Sequence, residues 1–410
     1  MNPIYEFHAC IGSGKTTQVP QFCLEDAAAR GVPCNIIIAQ PRRISAMSVA
    51  ERVAAERGDK IGSTVGYTIR LESKATPNTR LLFCTTGILL KRLEEDATLE
   101  NVTHVFVDEV HERSIESDFL LMVLRDMLPK RPAVAPLKVI LMSATLDASL
   151  FHDYFWDAPS VKFPGRTFPV TELYLEDALD VTRHTVKGNE DWCNKGKKSS
   201  PNGRDKVVVP VEEKDDMLLS EDELSSRYSK HSLNTRTALA KLDHNEINYT
   251  LAVDTINWLS NLSSPGDAAN YIKGNATSNK KNVSMEPSTN DTTSSAILVF
   301  LPGIKEITTL QELLVKSLTG TAREWILPIH SSIPPEEQRL VFTRPPKGIR
   351  KVVLATNIAE TAITIDDVAF VVDTGRMKEN RYDPLKRMSS LEDCLVARSN
   401  ARQRRGRAGR

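Results

Sequence analysis

Val105-Phe106-Val107-Asp108-Glu109-Val110-His111-Glu112-Arg113 is an apolar run that passes straight into a cluster of ionisable residues. A buried parallel strand reads as a continuous Val/Ile/Phe run, and open α/β sheets place ligands beyond the carboxyl ends of such strands. Asp108 and Glu109 are therefore expected side by side at a rim. Adjacent carboxylates repel, so packing alone gives little reason for them. One can hold a magnesium ion while the other orients a water. The pair reads as one half of a nucleoside-triphosphate site.

The other half lies upstream, in Ala9-Cys10-Ile11-Gly12-Ser13-Gly14-Lys15-Thr16-Thr17. In a loop that closes on Gly-Lys-Thr, backbone N–H groups wrap phosphate oxygens, the lysine reaches the terminal phosphates and the hydroxyl ligates magnesium. Taken alone, the string also suits an ordinary helix-starting turn. A later strand ending in Asp-Glu favours the phosphate reading.

Around these two stretches the chain runs to 410 residues with a formal net charge of zero. That length suggests about two to three domains. With no global basic excess, nucleic-acid contact has to rest on local clusters such as Arg398 to Arg410. The 6 cysteines form no CxxC pair, so metal knuckles and a disulfide framework are not expected and a reducing compartment is the default. No apolar run is long enough to span a bilayer, and Met1 to Cys10 has no signal-peptide core. The expectation is a soluble intracellular chain, nuclear or cytoplasmic with the cytoplasm favoured, in which the Asn-x-Ser/Thr sequons are chance matches.

Read in order, Thr16 to Arg30 suits a helix. Asn35 to Ala39 is a short buried strand that leaves through Gln40-Pro41-Arg42-Arg43, presenting two arginines at its rim. Strands around Val65 to Ile69 and Arg80 to Cys84 follow, the second leaving through Thr85-Thr86-Gly87. Lys138 to Met142 ends in Ser143-Ala144-Thr145. Strands alternating with helices, each delivering polar residues at its carboxyl end, predict a doubly wound parallel sheet. From Asp177 to Arg227, and again from Ser263 to Ser295, polar residues dominate and no packed core is expected. Between them, Thr235 to Leu259 predicts two short helices docked on a second domain. A second α/β unit begins at Ala296 to Leu301, with further strands at Lys351 to Ala355 and Val368 to Val372. Met377 to Ala397 predicts an extended hairpin turning near Asp383-Pro384. The end of the chain carries six arginines from Arg398 onward. Arginines spaced by glycine suit close approach to phosphates and stabilisation of phosphoryl-transfer charge.

This set resembles the DEAH/RHA branch of superfamily 2 RNA helicases. The matching motifs are Gly12-Ser13-Gly14-Lys15-Thr16, Gln40-Pro41-Arg42-Arg43, Thr85-Thr86-Gly87, Asp108-Glu109-Val110-His111 and Ser143-Ala144-Thr145 on the first flank. On the second they are Phe300-Leu301-Pro302-Gly303, Thr356 to Thr361, and Gln403 to Arg410. The resemblance implies two tandem RecA-like P-loop domains, 1–175 and 231–410, joined by a polar segment 176–230, with an insert at 263–295. Both polar stretches are expected to be disordered.

It also implies roles. Gly12, Ser13, Gly14, Lys15, Thr16 and Thr17 would hold the phosphates of ATP, or of other nucleoside triphosphates. Thr16, Asp108 and Glu109 would serve Mg2+, with Glu109 on the attacking water. His111 and Gln403 would link the domains, and Arg407 and Arg410 resemble arginine fingers. Arg52 and Phe342 would sandwich the base, and Asp366 would lie near the ribose. Arg43, Thr85, Thr86, Ser332, Thr356 and Asn357 match positions that hold an RNA sugar-phosphate backbone. Ser143 and Thr145 would transmit nucleotide state to that track. The expected partner is RNA, single-stranded or structured, bound by a monomer with no membrane contact.

The family pattern is broken in places. Ala9 stands where the loop usually opens with glycine. Pro3 to His8 predicts a poor central strand, because Glu6 would be buried without a partner. Ala362 replaces a serine. The chain ends at Arg410, so the winged-helix, ratchet and OB-like regions of the family are expected to be missing. Two functions follow as expectations: an ATP-dependent RNA helicase motor core, or an RNA-binding protein with little or no turnover. A DNA helicase is a third.

Overall fold

The computed structural model describes residues 4–9, 13–132, 136–143, 149–163, 168–186, 221–243, 245–262, 267, 295–318, 320–361, 365–385 and 387–408. The chain forms two compact units, Met1–Phe168 with Ile358–Thr364 and Arg410, and Pro169–Asn357 with Ile365–Gly409.

In the first unit the elements run β1 (Ile4–Ala9), α1 (Lys15–Ala29), β2 (Ile36–Gln40), α2 (Arg43–Glu56), β3 (Val65–Ile69), β4 (Glu72–Lys74), β5 (Leu81–Thr85) and α3 (Thr86–Glu95). They continue with β6 (His104–Val107), α4 (Ile115–Met127), β7 (Lys138–Ser143), α5 (Ser149–Tyr154) and β8 (Ser160–Phe163). The strands form one sheet in the order β4-β3-β5-β2-β6-β7-β1-β8. All its pairings are parallel except β3 with β4.

The central strands are apolar on both sides because helices cover both faces. Successive side chains alternate across a sheet. Ile37, Ala39, Val105, Val107, Val139 and Leu141 accordingly pack with Leu89 and Leu93 of α3 and Leu120 and Leu124 of α4. Their neighbours Ile36, Ile38, Phe106, Ile140 and Met142 pack with Ala27 of α1 and Ala46, Ala50 and Val53 of α2. A stiff β6 with covered faces gives Asp108 and Glu109 a fixed platform. Ser114 then starts α4 cleanly, its Oγ accepting from Ser117 N at 3.2 Å.

The poor-strand expectation for the amino terminus is corrected here. β1 lies inside the sheet, pairing with β7 from Ile4 to His8 and with β8 from Glu6 to Ala9. Glu6 is indeed buried, but Ile4 is wholly buried too, and the backbone ladders on both sides hold the strand.

The second unit opens with α6 (Leu175–Thr182), α7 (Glu221–Arg227), α8 (Leu233–Lys241) and α9 (Tyr249–Ser260). Then come β9 (Ala296–Phe300), α10 (Ile304–Ser317), β10 (Ile326–Ile329), β11 (Val352–Ala355), β12 (Val368–Asp373), β13 (Arg376–Asp383), β14 (Met388–Leu395) and α11 (Arg398–Arg405). A parallel sheet ordered β10-β11-β9-β12 is covered by α9 and α10 through Ala252, Ile256, Leu259, Leu310 and Leu314. The predicted hairpin is present, Asp383 pairing with Met388 at its tip.

The expectation of no packed core from Asp177 to Arg227 fails at both ends of that stretch. Leu179 and Val186 join Ala238, Leu239, Leu242 and Leu251 in one apolar cluster, and Leu224 of α7 is also buried. Few apolar residues suffice there because α8 and α9 complete the core. The rest of that stretch, and Ser263 to Ser295 apart from 267 and 295, lie outside the described residues. No helix among the described residues is long and apolar enough to cross a membrane.

Candidate active site

Asp108 follows β6 directly, and its N–H extends the ladder by donating to Ala39 O at 3.0 Å. That places its carboxylate between the end of β2 and the start of α1. Oδ2 accepts from Thr16 Oγ1 at 2.7 Å and from Gln40 Nε2 at 2.8 Å, and Oδ1 accepts from Glu109 N at 2.9 Å. Burial, and then the neighbouring Glu109, push the Asp108 carboxyl up. Lys15, Thr16 and Gln40 pull the other way.

Glu109 has φ 53° and ψ 38°, a left-handed conformation that is uncommon outside glycine. This turn brings Glu109 Oε1 to 3.6 Å from Lys15 Nζ and Oε2 to 3.4 Å from His111 Nδ1. His111 is driven down to about 4 by burial first and the Lys15 charge second. Its ring is therefore neutral near pH 7. Beyond it, Arg42 reaches Glu112 Oε2 at 3.4 Å, tying the end of β2 to the same turn.

The loop side is built by Gly14 and the first turn of α1. Gly14 has φ 82°, and its carbonyl accepts from Gln18 N at 2.7 Å. Thr17 Oγ1 also donates to Gly14 O, at 3.3 Å. Ser13 Oγ is buried with no hydrogen-bond partner among the described residues. Lys15 is buried too. A left-handed glycine, an unsatisfied hydroxyl, a buried ammonium and a helix amino terminus together suit phosphate oxygens. A hydroxyl beside a carboxylate suits a hard cation such as Mg2+. The residues present therefore fit both groups. Gly12 lies outside the described residues.

Elsewhere in the first unit, Arg52 Nε donates to Glu56 Oε1 at 3.0 Å. Arg43 is exposed, Thr85 half-buried and Ser143 buried, while Thr145 lies outside the described residues. Thr86 is buried and its hydroxyl donates to Gln40 O at 3.3 Å. In the second unit Phe342, Asp366 and Ser332 are exposed, Thr356 is buried, and Asn357 and Gln403 are half-buried. Ser332 Oγ lies 2.7 Å from His330 Nδ1. Arg407 is buried, and Arg410 lies outside the described residues, as does Ala362.

Three residues with a part in these clusters carry no role in the sequence reading. Gln40 is one, although a polar residue closing an all-buried strand is a usable signal. Glu56 is another, with only its i,i+4 spacing from Arg52 to mark it. Arg404 is the third, being 1 % exposed and donating from Nη1 to Asp373 Oδ1 at 2.7 Å.

Comparison with known proteins gives two family matches: DEAD/DEAH box helicase over residues 7–152, and Helicase conserved C-terminal domain over residues 279–410. The DExH-box ATP-dependent RNA helicase DExH1 of Arabidopsis thaliana is 45 % identical over 97 % of this chain and 37 % of its own length. The human putative ATP-dependent RNA helicase DHX57 is 45 % identical over 97 % of this chain and 29 % of its own. Among solved structures, the Escherichia coli DEAH/RHA helicase HrpB matches with a TM-score of 0.65 and 28 % identity, over 99 % of this chain and 39 % of that one. The chain thus spans well under half the length of the relatives it matches.

Proposed function

From the premise that the chain belongs to the DEAH/RHA family of helicases, we propose that it is the motor core of an ATP-dependent RNA helicase, hydrolysing ATP to ADP and phosphate and coupling this to movement along RNA. The observation that carries the reading is the convergence of Lys15, Thr16, Asp108 and Glu109 at the end of β6. Thr16 and Asp108 would hold Mg2+, which when bound neutralises charge on the terminal phosphate oxygens. Lys15 would meet the same phosphates. Glu109 orients the attacking water and accepts its proton. The neutral His111 lies beside it, Nδ1 at 3.4 Å from Oε2. Arg407 and Arg410 supply guanidinium charge for the transferring phosphoryl group.

Arg43, Thr85, Ser332, Thr356 and Asn357 grip the RNA backbone, which positions a strand without reading its sequence. The Thr86 hydroxyl is used inside the fold, so its share falls to the backbone N–H at the first turn of α3. We place this work inside the cell, in a monomer. The alternative, an RNA binder with little turnover, drew in part on a damaged first strand, and β1 removes that part of its ground. Phosphate release by the 410-residue chain, measured with and without single-stranded RNA, tests the proposal. Turnover that rises with RNA is expected, and RNA binding with a flat baseline would favour the alternative.

A further inference from the structure

Glu56, at the end of α2, collects three side chains. Gln18 Nε2 donates to its Oε2 at 2.9 Å, Gln21 Nε2 to the same oxygen at 3.1 Å, and Arg52 Nε to Oε1 at 3.0 Å. The set extends through Arg57, whose Nη1 donates to Gln21 Oε1 at 3.4 Å and Glu25 Oε1 at 3.1 Å. Gln18 in turn packs under the phosphate loop, its Cγ 3.1 Å from where a Cβ on Gly14 would stand.

An exposed i,i+4 Arg–Glu pair is ordinarily a weak, mobile contact. Here two amides from α1 hold the far oxygen, so the carboxylate cannot swing. Arg52 Nε then meets an oxygen whose direction is set by the helix that starts at the phosphate loop. A guanidinium held through Nε has a fixed plane, and a fixed plane is what stacking on a nucleobase requires. Arg52 is 45 % exposed and Glu56 30 %, so neither is needed to fill a core.

We propose that Glu56 is a positioning residue for the nucleotide base: it orients the Arg52 guanidinium and couples that orientation to the loop that holds the phosphates. The inference rests on the reading that Arg52 meets the base. Glu56 itself touches no substrate, and it acts on nucleotide affinity and KM rather than on kcat.

The test uses the full chain and two probes, ADP and inorganic tripolyphosphate, which lacks a base. Glu56→Gln keeps the size of the side chain but replaces one acceptor oxygen by a donor. It is expected to weaken ADP binding about tenfold, the size of one partly desolvated cation–π contact, with kcat within about twofold and tripolyphosphate binding unchanged. Arg52→Ala should show the same loss, and the double variant should be no worse than either single one. Normal ADP binding by Glu56→Gln alongside a loss in Arg52→Ala would overturn the proposal while leaving the Arg52 reading in place. Normal ADP binding by Arg52→Ala would overturn that reading and the proposal with it. Equal loss of ADP and tripolyphosphate in Glu56→Gln would make the residue a support for the loop alone. Glu56→Asp, which keeps the charge but draws it back by one methylene, should fall between wild type and Glu56→Gln in ADP affinity. A Glu56→Asp affinity at the wild-type level would contradict the need for a fixed carboxylate.

Discussion

The carboxyl end of β6 in the first unit and that of β12 in the second both bury charge, and they dispose of it differently. At β12, Arg404 meets one carboxylate, Asp373, and lies 4.8 Å over the Phe300 ring. The cation is matched there by an anion, a backbone carbonyl of Arg376 and an aromatic face. At β6 two carboxylates, Asp108 and Glu109, share one ammonium, Lys15, beside a histidine held neutral. Two charges against one leave the cluster short of a cation. A buried cation matched by a carboxylate at the surface serves the fold, whereas an unbalanced buried cluster that raises its own carboxyl is the pattern of a functional site.

The largest expected effect comes from deepening the imbalance. Lys15→Ala should cut ATP hydrolysis by about a hundredfold or more, the scale of losing one preorganised charge contact. Phosphate release at saturating RNA measures it, and retention of a tenth of the rate would break the contrast. Arg404→Ala attacks the balanced pair. It should lower stability by about 1–2 kcal/mol, through loss of the Arg404 contact with the Phe300 ring and of its hydrogen bond to Asp373, an exposed carboxylate that still accepts from Gly375 N. Urea unfolding reads this, and a loss under about 0.5 kcal/mol would show that the pair contributes little to the fold.

What could be read beforehand divides along physical lines. Strands such as β2 and β6 were legible because burial on both faces makes them continuous apolar runs that end abruptly in polar residues. β10 was not, since nothing between Pro302 and Arg350 reads as a strand once Pro328 interrupts Ile326-Leu327. It is tolerated because β10 is the edge of its sheet, where a missing N–H costs little. β4 escaped notice for its brevity and for pairing antiparallel. α6 and α7 were hidden in polar sequence because their apolar residues are few and find their partners on α8 and α9. In the site, Lys15, Thr16, Asp108 and Glu109 were legible as motif positions. Gln40 and Glu56 were not, because their roles depend on side chains brought together from other helices and strands.

Gln40→Leu sharpens the contrast by removing one donor from Asp108. The loss should be about 1–2 kcal/mol of stability, with the acid limb of the ATPase profile displaced to higher pH as the Asp108 carboxyl rises further. An unmoved acid limb would separate Gln40 from the site.

A last contrast is set by pH. His104 and His111 are both lowered from 6.5 to about 4, chiefly by burial. Below about pH 6.5 the unfolded chain takes up protons that the folded chain refuses until about 4. Stability should therefore be level above that range and fall as pH drops through it. His104→Gln should flatten part of the slope in urea melts at pH 7 and pH 5, and an unchanged slope would place the proton uptake elsewhere.

The most direct measurement is ATP hydrolysis and ATP affinity, taken together, for wild type and Glu109→Gln. If Glu109 acts on the attacking water while Lys15, Thr16 and Asp108 bind, the variant should hold ATP within a few fold of wild type and lose RNA-stimulated hydrolysis. Hydrolysis that persists in Glu109→Gln at the wild-type rate would contradict the assignment of the β6 cluster as the catalytic centre.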